Sequence, residues 1–231
     1  MDTDPTVPFG LIQVAGVHDI GETASLLANG VDLVGLPLGL TVNKEDLTEA
    51  EAANISKAFP GKCCLITYND SIESISRIAR YLRVNYVQLH GDLDPAILPG
   101  LREALPGTRF IKSLVVGKVP AAGLKRTLES FAPHVWAFIT DTYNPETGAE
   151  GATGLTHDWR ISRQLVKLSP RPVILAGGLH PQNVARAIAA VRPFGVDVHT
   201  GVEDPDGIKD PARVRKFVTT AQSAFARFPI P

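Results

Sequence analysis

The sequence predicts an α/β fold, a single-domain (β/α)8 TIM barrel, because eight short apolar segments alternate along it with eight amphipathic ones. The apolar segments are rich in β-branched and aliphatic residues, which is typical of parallel strands that are buried on both faces. The 231 residues allow about 29 residues for each strand–helix unit, which suits eight units. We therefore expect one barrel domain over residues 1–231, with residues 1–8 as a flexible tail.

The first half of the chain supplies four of these units. The first predicted helix has an apolar face that includes Ile20, Ala24 and Leu27, and Asn29-Gly30 is typical of a helix end. The predicted strands are 10–16, 31–38, 63–68 and 86–91. The predicted helices are 19–30, 48–59, 71–83 and 94–105.

The second half repeats the pattern. The predicted strands are 109–116, 137–143, 172–178 and 195–201. The predicted helices are 120–132, 158–169, 181–192 and 210–228, and Asp210-Pro211 is an N-cap followed by proline in the first turn. An open doubly wound sheet is the alternative. It is disfavoured because the first strand leads into Ala15-Gly16-Val17-His18 rather than a glycine-rich fingerprint.

Composition excludes several classes of function. The formal charge of −1 argues against a nucleic-acid or polybasic membrane surface. No run of about 18 apolar residues is present, and the first residues lack a signal core, so we expect a soluble, cytoplasmic protein. The adjacent Cys63 and Cys64 suit neither a disulfide nor a zinc site, so we expect no metal.

Chemistry in such barrels sits at the carboxyl ends of the strands. Gly177-Gly178 ends the seventh strand and Thr200-Gly201 ends the eighth, and together they predict a phosphate site, although glycines also make ordinary tight turns. Asp141 ends the apolar sixth strand, where a carboxyl group serves as an acid or a base, or else caps the next loop. The long irregular segment 143–157 suggests a lid over this end of the barrel.

Four segments carry a resemblance to a known family. They are QLHG (88–91), TDT followed by GATG and HDW (140–159), LAGGLHPQNV (175–184) and VDVHTGVEDPDGIKD (196–210). They resemble the phosphoribosylanthranilate isomerases of tryptophan biosynthesis. The resemblance implies an Amadori-type aldose–ketose isomerisation of a phosphoribosylated amine, without metal or organic cofactor.

The resemblance also implies roles for individual residues. Asp141 matches the family's general acid, which opens the furanose ring. His90 matches a position near the substrate. The family positions that hold the substrate phosphate match segments containing Gly154, Gly177, Gly178, Thr200 and Gly201.

Two family residues are missing from the first half of the chain. The family's first strand ends in a Lys-Ile-Cys-Gly-like motif whose Cys is the general base, but this chain has Ala15 there. The stretch 36–44, after the second strand, lacks the family's substrate-binding Arg. Histidine is the most suitable replacement base near neutral pH. We expect His199 to be that base, with a rate that rises through an imidazole pKa, and we rank His18 second and His90 third.

Two other functions remain open from the sequence alone. One is a phosphosugar lyase or condensing enzyme that forms a Schiff base on Lys112 or uses a His. The other is a phosphosugar-binding protein without catalysis. In each case the expected partner is a small phosphorylated sugar, with no nucleic acid or membrane, and the oligomeric state is left open.

Overall fold

A computed structural model describes residues 9–40, 46–118, 120–143 and 156–228 of the chain. The structural statements below concern these residues. The predicted tail, 1–8, and most of the predicted lid, 143–157, lie outside them, as does Gly154. No helix within these ranges is both long and apolar enough to cross a membrane.

Eight parallel strands close into a barrel in the order of the sequence, so that β8 pairs with β1. This confirms the predicted (β/α)8 fold. The strands are β1 Leu11–Ala15, β2 Leu33–Pro37, β3 Cys63–Thr67, β4 Tyr86–Leu89, β5 Arg109–Val116, β6 Ala137–Thr142, β7 Val173–Leu175 and β8 Gly195–Val198.

An α-helix follows each strand. The helices are α1 Ile20–Ala28, α2 Glu49–Ala58, α3 Ile72–Leu82, α4 Leu98–Ala104, α5 Ala121–Phe131, α6 Trp159–Leu168, α7 Val184–Val191 and α8 Pro211–Arg227. Several begin at the expected caps. The Asp210 carboxylate accepts hydrogen bonds from the backbone N–H groups of Ala212 and Arg213, at 2.7 and 3.1 Å.

Most predicted elements are longer than the observed ones, and for three of them the difference has a clear local reason. The helix predicted at 94–105 begins as a 3-10 turn, Pro95–Ile97, and becomes α4 only at Leu98, since Pro99 has no N–H to continue an earlier α-turn. Strand β7 stops at Leu175, because Gly177 and Gly178 have φ of +98° and +60° and leave the extended region. Strand β8 stops at Val198, because Thr200–Val202 forms a 3-10 turn.

The apolar core has two layers. The outer layer lies between the strands and the helices and includes the fully buried Phe110, Phe138 and Phe217. The inner layer fills the barrel, and Cys64 belongs to it while its neighbour Cys63 faces the outer layer. Burial of each large side chain contributes about 1.5–3 kcal/mol. Burial also raises the pKa of the Cys63 thiol to about 12, so this free cysteine remains a neutral packing group.

The barrel interior becomes polar toward the carboxyl ends of the strands. Gln13 of β1 and Gln88 of β4 are buried there, and the Gln13 amide donates to the Gln88 oxygen at 3.1 Å. Buried amides are costly unless they are hydrogen-bonded, so this pair forms a fixed floor. Above it opens the mouth of the barrel.

Candidate active site

A cavity of about 370 Å³ occupies the mouth of the barrel. Its walls come from the ends of seven strands and the loops that follow them. The cavity brings together every site residue predicted from the sequence except Gly154, which lies outside the described residues. These are His18, His90, Asp141, Gly177, Gly178, His199, Thr200 and Gly201.

The wall formed after β7 and β8 has backbone alone at its glycines. A Cβ at Gly201 would collide with the carbonyl oxygen of Leu179, and a Cβ at Gly177 would lie 2.8 Å from His157 Nδ1. Side chains are therefore excluded at these two positions. Asn183 holds the β7 loop from behind, because its amide donates to the Gly178 carbonyl oxygen at 2.9 Å. This geometry suits the predicted phosphate site, which stays a prediction.

Asp141 lies at the end of β6 and is buried. Its Oδ1 accepts a hydrogen bond from the Thr142 N–H at 2.8 Å, and its Oδ2 lies 3.6 Å from His90 Nδ1. Gln88 Nε2 lies 2.6 Å from His90 Nε2. Because the Gln88 oxygen accepts from Gln13, the Gln88 amide nitrogen donates to His90 Nε2, and the His90 proton is on Nδ1, facing Asp141.

His90 is a neutral neighbour of this carboxyl group. Burial, together with the positive charge of Lys112, lowers the pKa of His90 to about 3. At neutral pH the ring therefore presents a polar N–H to Asp141 and no positive charge. His90 is therefore a poor base near neutral pH.

His199 lies over the loop that follows β1, where a Cβ at Gly16 would collide with its ring. Its Nε2 is 3.4 Å from Glu203 Oε1. Burial, then the charges of Lys209 and His18, lower the pKa of His199 to about 3. The expected rise in rate through an ordinary imidazole pKa does not fit such a group, since a base with a pKa near 3 accepts a proton poorly at neutral pH.

His18 stands at the other side of the same loop. Its Nδ1 lies 3.3 Å from Glu22 Oε2 and its Nε2 lies 3.9 Å from Asp46 Oδ1. Its backbone N–H also donates to Glu22, at 2.7 Å. The ring is thus held between two carboxylates at the cavity edge.

Lys112 is not among the residues that line the cavity, which argues against the alternative of a Schiff base there. It is a buried residue of β5, and its Nζ donates to the Gly91 and Leu89 carbonyl oxygens at 2.8 and 3.3 Å. The same Nζ lies 5.5 Å from the centre of the Phe131 ring of α5. The lyase alternative that uses Lys112 therefore has no nucleophile in this cavity.

Asp197 of β8 is the cavity residue that sequence reasoning missed. It is 9% exposed, and its Oδ1 has no hydrogen-bond partner among the described residues. Burial raises the pKa of Asp197 to about 7, although the Gln13 side chain and Lys209 oppose the shift. The signal was a lone Asp between two valines in a strand that is otherwise apolar.

A buried ion pair supports the loop after β8. Lys209 Nζ donates to Glu203 Oε1 at 2.5 Å, and the Lys209 backbone N–H donates to Glu22 Oε1 of α1 at 2.7 Å. Burial lowers the pKa of Lys209, while the Glu203 carboxylate opposes that shift. The pair joins the last loop of the barrel to its first helix.

Comparison with known proteins assigns the family. Residues 15–220 match the family model of N-(5′-phosphoribosyl)anthranilate (PRA) isomerase. The chain belongs to the PRA isomerase family. It is therefore an enzyme of the aldose–ketose isomerase class, as the resemblance implied.

Individual relatives cover nearly the whole chain. It is 37% identical over 218 residues to N-(5′-phosphoribosyl)anthranilate isomerase 2 of Methanosarcina mazei, covering 93% of this chain and 95% of that protein. The PRA isomerase structure from Thermotoga maritima is 28% identical, with a TM-score of 0.78 and coverage of 93% and 99%. A PRA isomerase in complex with reduced 1-(o-carboxyphenylamino)-1-deoxyribulose 5-phosphate is 25% identical, with a TM-score of 0.76 and the same coverage.

The cavity wall of this PRA isomerase family member is acidic. Among the described residues, its lining contains five carboxylic side chains and neither Arg nor Lys. The five are Asp46, Asp141, Asp197, Glu203 and Asp206. Within the same described part of the chain, no group of three or more His, Cys, Asp or Glu side chains is arranged to hold a metal ion. The wall therefore offers carboxylates, imidazoles and backbone to a ligand.

We predict that Gly177→Ala weakens the binding of ribose 5-phosphate by about tenfold or more, equivalent to about 1.4 kcal/mol. The added Cβ would press on Thr142 and His157 and move the wall. Isothermal titration calorimetry measures the change. Gly107→Ala is the matched control, since Gly107 also has a positive φ, of +80°, but nothing lies within 4 Å of its added Cβ. Equal affinity in the wild type and Gly177→Ala would place the phosphate elsewhere.

Asp197 makes stability depend on pH. Its pKa is about 7 in the folded chain against an ordinary 3.8 for an aspartate, so the folded state binds the proton more tightly. The contribution of Asp197 to the free energy of unfolding is fully present below pH 4. It is lost as the pH rises toward 7, which lowers the free energy of unfolding by up to roughly 4 kcal/mol. Chemical denaturation of the wild type and Asp197→Asn at several pH values measures it. The exposed Asp92→Asn is the control, and parallel pH curves for the wild type and Asp197→Asn contradict the prediction.

Proposed function

We propose that the chain isomerises N-(5′-phosphoribosyl)anthranilate to the corresponding 1-amino-1-deoxyribulose phosphate. The observation that carries the proposal is one cavity that combines a buried strand-end carboxyl group, Asp141, with a backbone wall at Gly177 and Gly201. That combination stands in a barrel of the PRA isomerase family. A relative that binds a reduced ketose product analogue supports the same substrate class.

The ligand is proposed to lie across the mouth of the barrel. Its phosphate rests against the wall after β7 and β8, and its sugar extends over the floor formed by Gln13 and Gln88. Asp141 in its protonated form gives a proton to the furanose ring oxygen. The bond from C1′ to that oxygen breaks, and the nitrogen lone pair forms a C1′=N iminium. The Thr142 N–H, which donates to Asp141 Oδ1 at 2.8 Å, holds the Asp141 carboxyl group in place during this step.

The second step moves a hydrogen from the sugar. A base removes the proton on C2′, the C2′–H electrons form a C1′=C2′ double bond, and the iminium electrons return to nitrogen. The resulting enol amine becomes the ketone when C1′ takes up a proton and the C2′ hydroxyl loses one. No electron acceptor is needed, because C1′ is reduced as C2′ is oxidised.

We predict that Asp141→Asn lowers kcat by about two to four orders of magnitude, which is the usual effect of losing a general acid. Asn cannot donate a proton to the ring oxygen, but it matches Asp in size. Turnover is measured by chromatographic separation of substrate and product, and growth of a tryptophan auxotroph lacking this isomerase gives an independent test. Asp92→Asn, whose side chain is 91% exposed, is the control. Wild-type turnover in Asp141→Asn excludes Asp141 from the reaction.

The acidic wall leads to a prediction about specificity. A buried charge pair with a substrate carboxylate would favour it by about 2–5 kcal/mol. Since the described wall contains no Arg or Lys, we expect kcat/KM for N-(5′-phosphoribosyl)aniline, which lacks the carboxylate, to be within about tenfold of the anthranilate value.

Asp46→Asn removes one negative charge from this wall and should shift the preference toward the anthranilate compound. A wild-type preference for anthranilate of more than about a thousandfold, roughly 4 kcal/mol, would contradict this account of the wall. Equal effects of Asp46→Asn on both compounds would show that the anthranilate carboxylate does not lie near Asp46.

A further inference from the structure

Asp197 and Ala15 lie on neighbouring strands, β8 and β1, at the closure of the barrel. In the pairing of β8 with β1, Asp197 is opposite Gln13 and Val198 is opposite Val14. Ala15 is two residues beyond Gln13 and therefore lies nearer the mouth than Asp197. Both residues line the cavity with Asp141.

The Asp197 carboxyl group has an unused acceptor atom. Its Oδ1 is buried and has no hydrogen-bond partner within the part of the chain that the structure describes. Buried oxygens are nearly always hydrogen-bonded, so an exception that lines a cavity calls for an explanation. A ligand that supplies a hydrogen to this oxygen provides one.

We propose that Asp197 is the general base that removes the C2′ proton, in place of the thiol that the family carries at the position of Ala15. The inference rests on the proposed function. In this step the C2′–H bond breaks, the Asp197 carboxylate takes the proton, and the electron pair forms the C1′=C2′ bond as described above. Asp141 then supplies the acid at β6 and Asp197 the base at β8.

The surroundings of Asp197 give it a useful basicity. Burial favours its neutral form, so the pKa is raised to about 7, which is suitable for proton transfer near neutral pH. The titratable and charged groups that act on it are Cys64 of β3 and Lys209 of the loop after β8. Gln13 of β1 hydrogen-bonds to it. The other ionisable side chains that line the cavity are His18, Asp46, Tyr68, His90, Asp141, His199, Glu203 and Asp206.

The deciding experiment compares the wild type with Asp197→Asn on phosphoribosylanthranilate. We expect kcat to fall by about two to four orders of magnitude while KM changes by less than a few-fold. Wild-type kcat should rise with pH through a value near 7, and that rise should be absent from Asp197→Asn. A variant that loses affinity but keeps kcat, or keeps the pH dependence, overturns the assignment.

Asp197→Ala with added formate provides a second test that does not depend on the Asn variant being stable. The truncated side chain leaves room for a small carboxylate, and formate should raise the turnover of Asp197→Ala but not of the wild type. Turnover in Asp197→Ala at the wild-type rate without formate overturns the assignment. Asp32→Asn is the matched control, because Asp32 is a half-buried carboxylate with a raised pKa at the opposite end of the barrel.

The two proposals fail in different ways. An active wild type with an equally active Asp197→Asn variant rejects only Asp197 as the base. A folded wild type that never converts phosphoribosylanthranilate rejects the proposed function and this inference with it.

Discussion

The candidate site depends on one hydrogen-bonded chain inside the barrel. Gln13 donates to Gln88, and Gln88 donates to His90, at 3.1 and 2.6 Å. An amide left unpaired at this depth would cost about 1–3 kcal/mol, so each member fixes the orientation of the next. This series of hydrogen bonds determines which His90 nitrogen faces Asp141. At its other end Gln13 contacts Asp197, so one polar layer connects the two buried carboxyl groups of the cavity.

The sequence contains enough information for the barrel and for part of the site. Strand-end rules identify Asp141 and the glycines after β7 and β8, because the carboxyl ends of parallel strands meet at one rim. The same rules left open whether Lys112 faces the cavity. Its strand is buried on both sides, so the sequence does not show which side chains face the axis. That direction depends on the register of the closed barrel, and it directs Lys112 toward α5.

The role of Asp197 and the low pKa of His199 could not be predicted from the sequence for a different reason, which is electrostatic. From local sequence alone a histidine is expected to have its ordinary pKa. The low pKa of His199 is caused by burial and by the charge of Lys209, ten positions further along the chain. The Lys209 amine donates to the His199 carbonyl oxygen. Asp197 gains its basicity from the same enclosure. Burial therefore has opposite effects on two residues separated by one position, since it disfavours the charged form of each. These opposite pKa shifts can be recognised only from the three-dimensional structure, which shows that both side chains are buried in the same cavity wall.

The bond between Lys209 and Glu22 spans 187 positions of the chain and lies beside the seam where β8 meets β1. The first strand therefore has no partner on one side until almost the whole polypeptide has been made. Until then its backbone N–H and C=O groups form an open edge, and such edges promote association with other chains. Closing the ring also joins the most distant parts of the chain, which slows folding. The pairing of β8 with β1 thus completes the active-site end of the barrel. Until it forms, a newly synthesised chain is prone to associate with other chains through the open edge of β1.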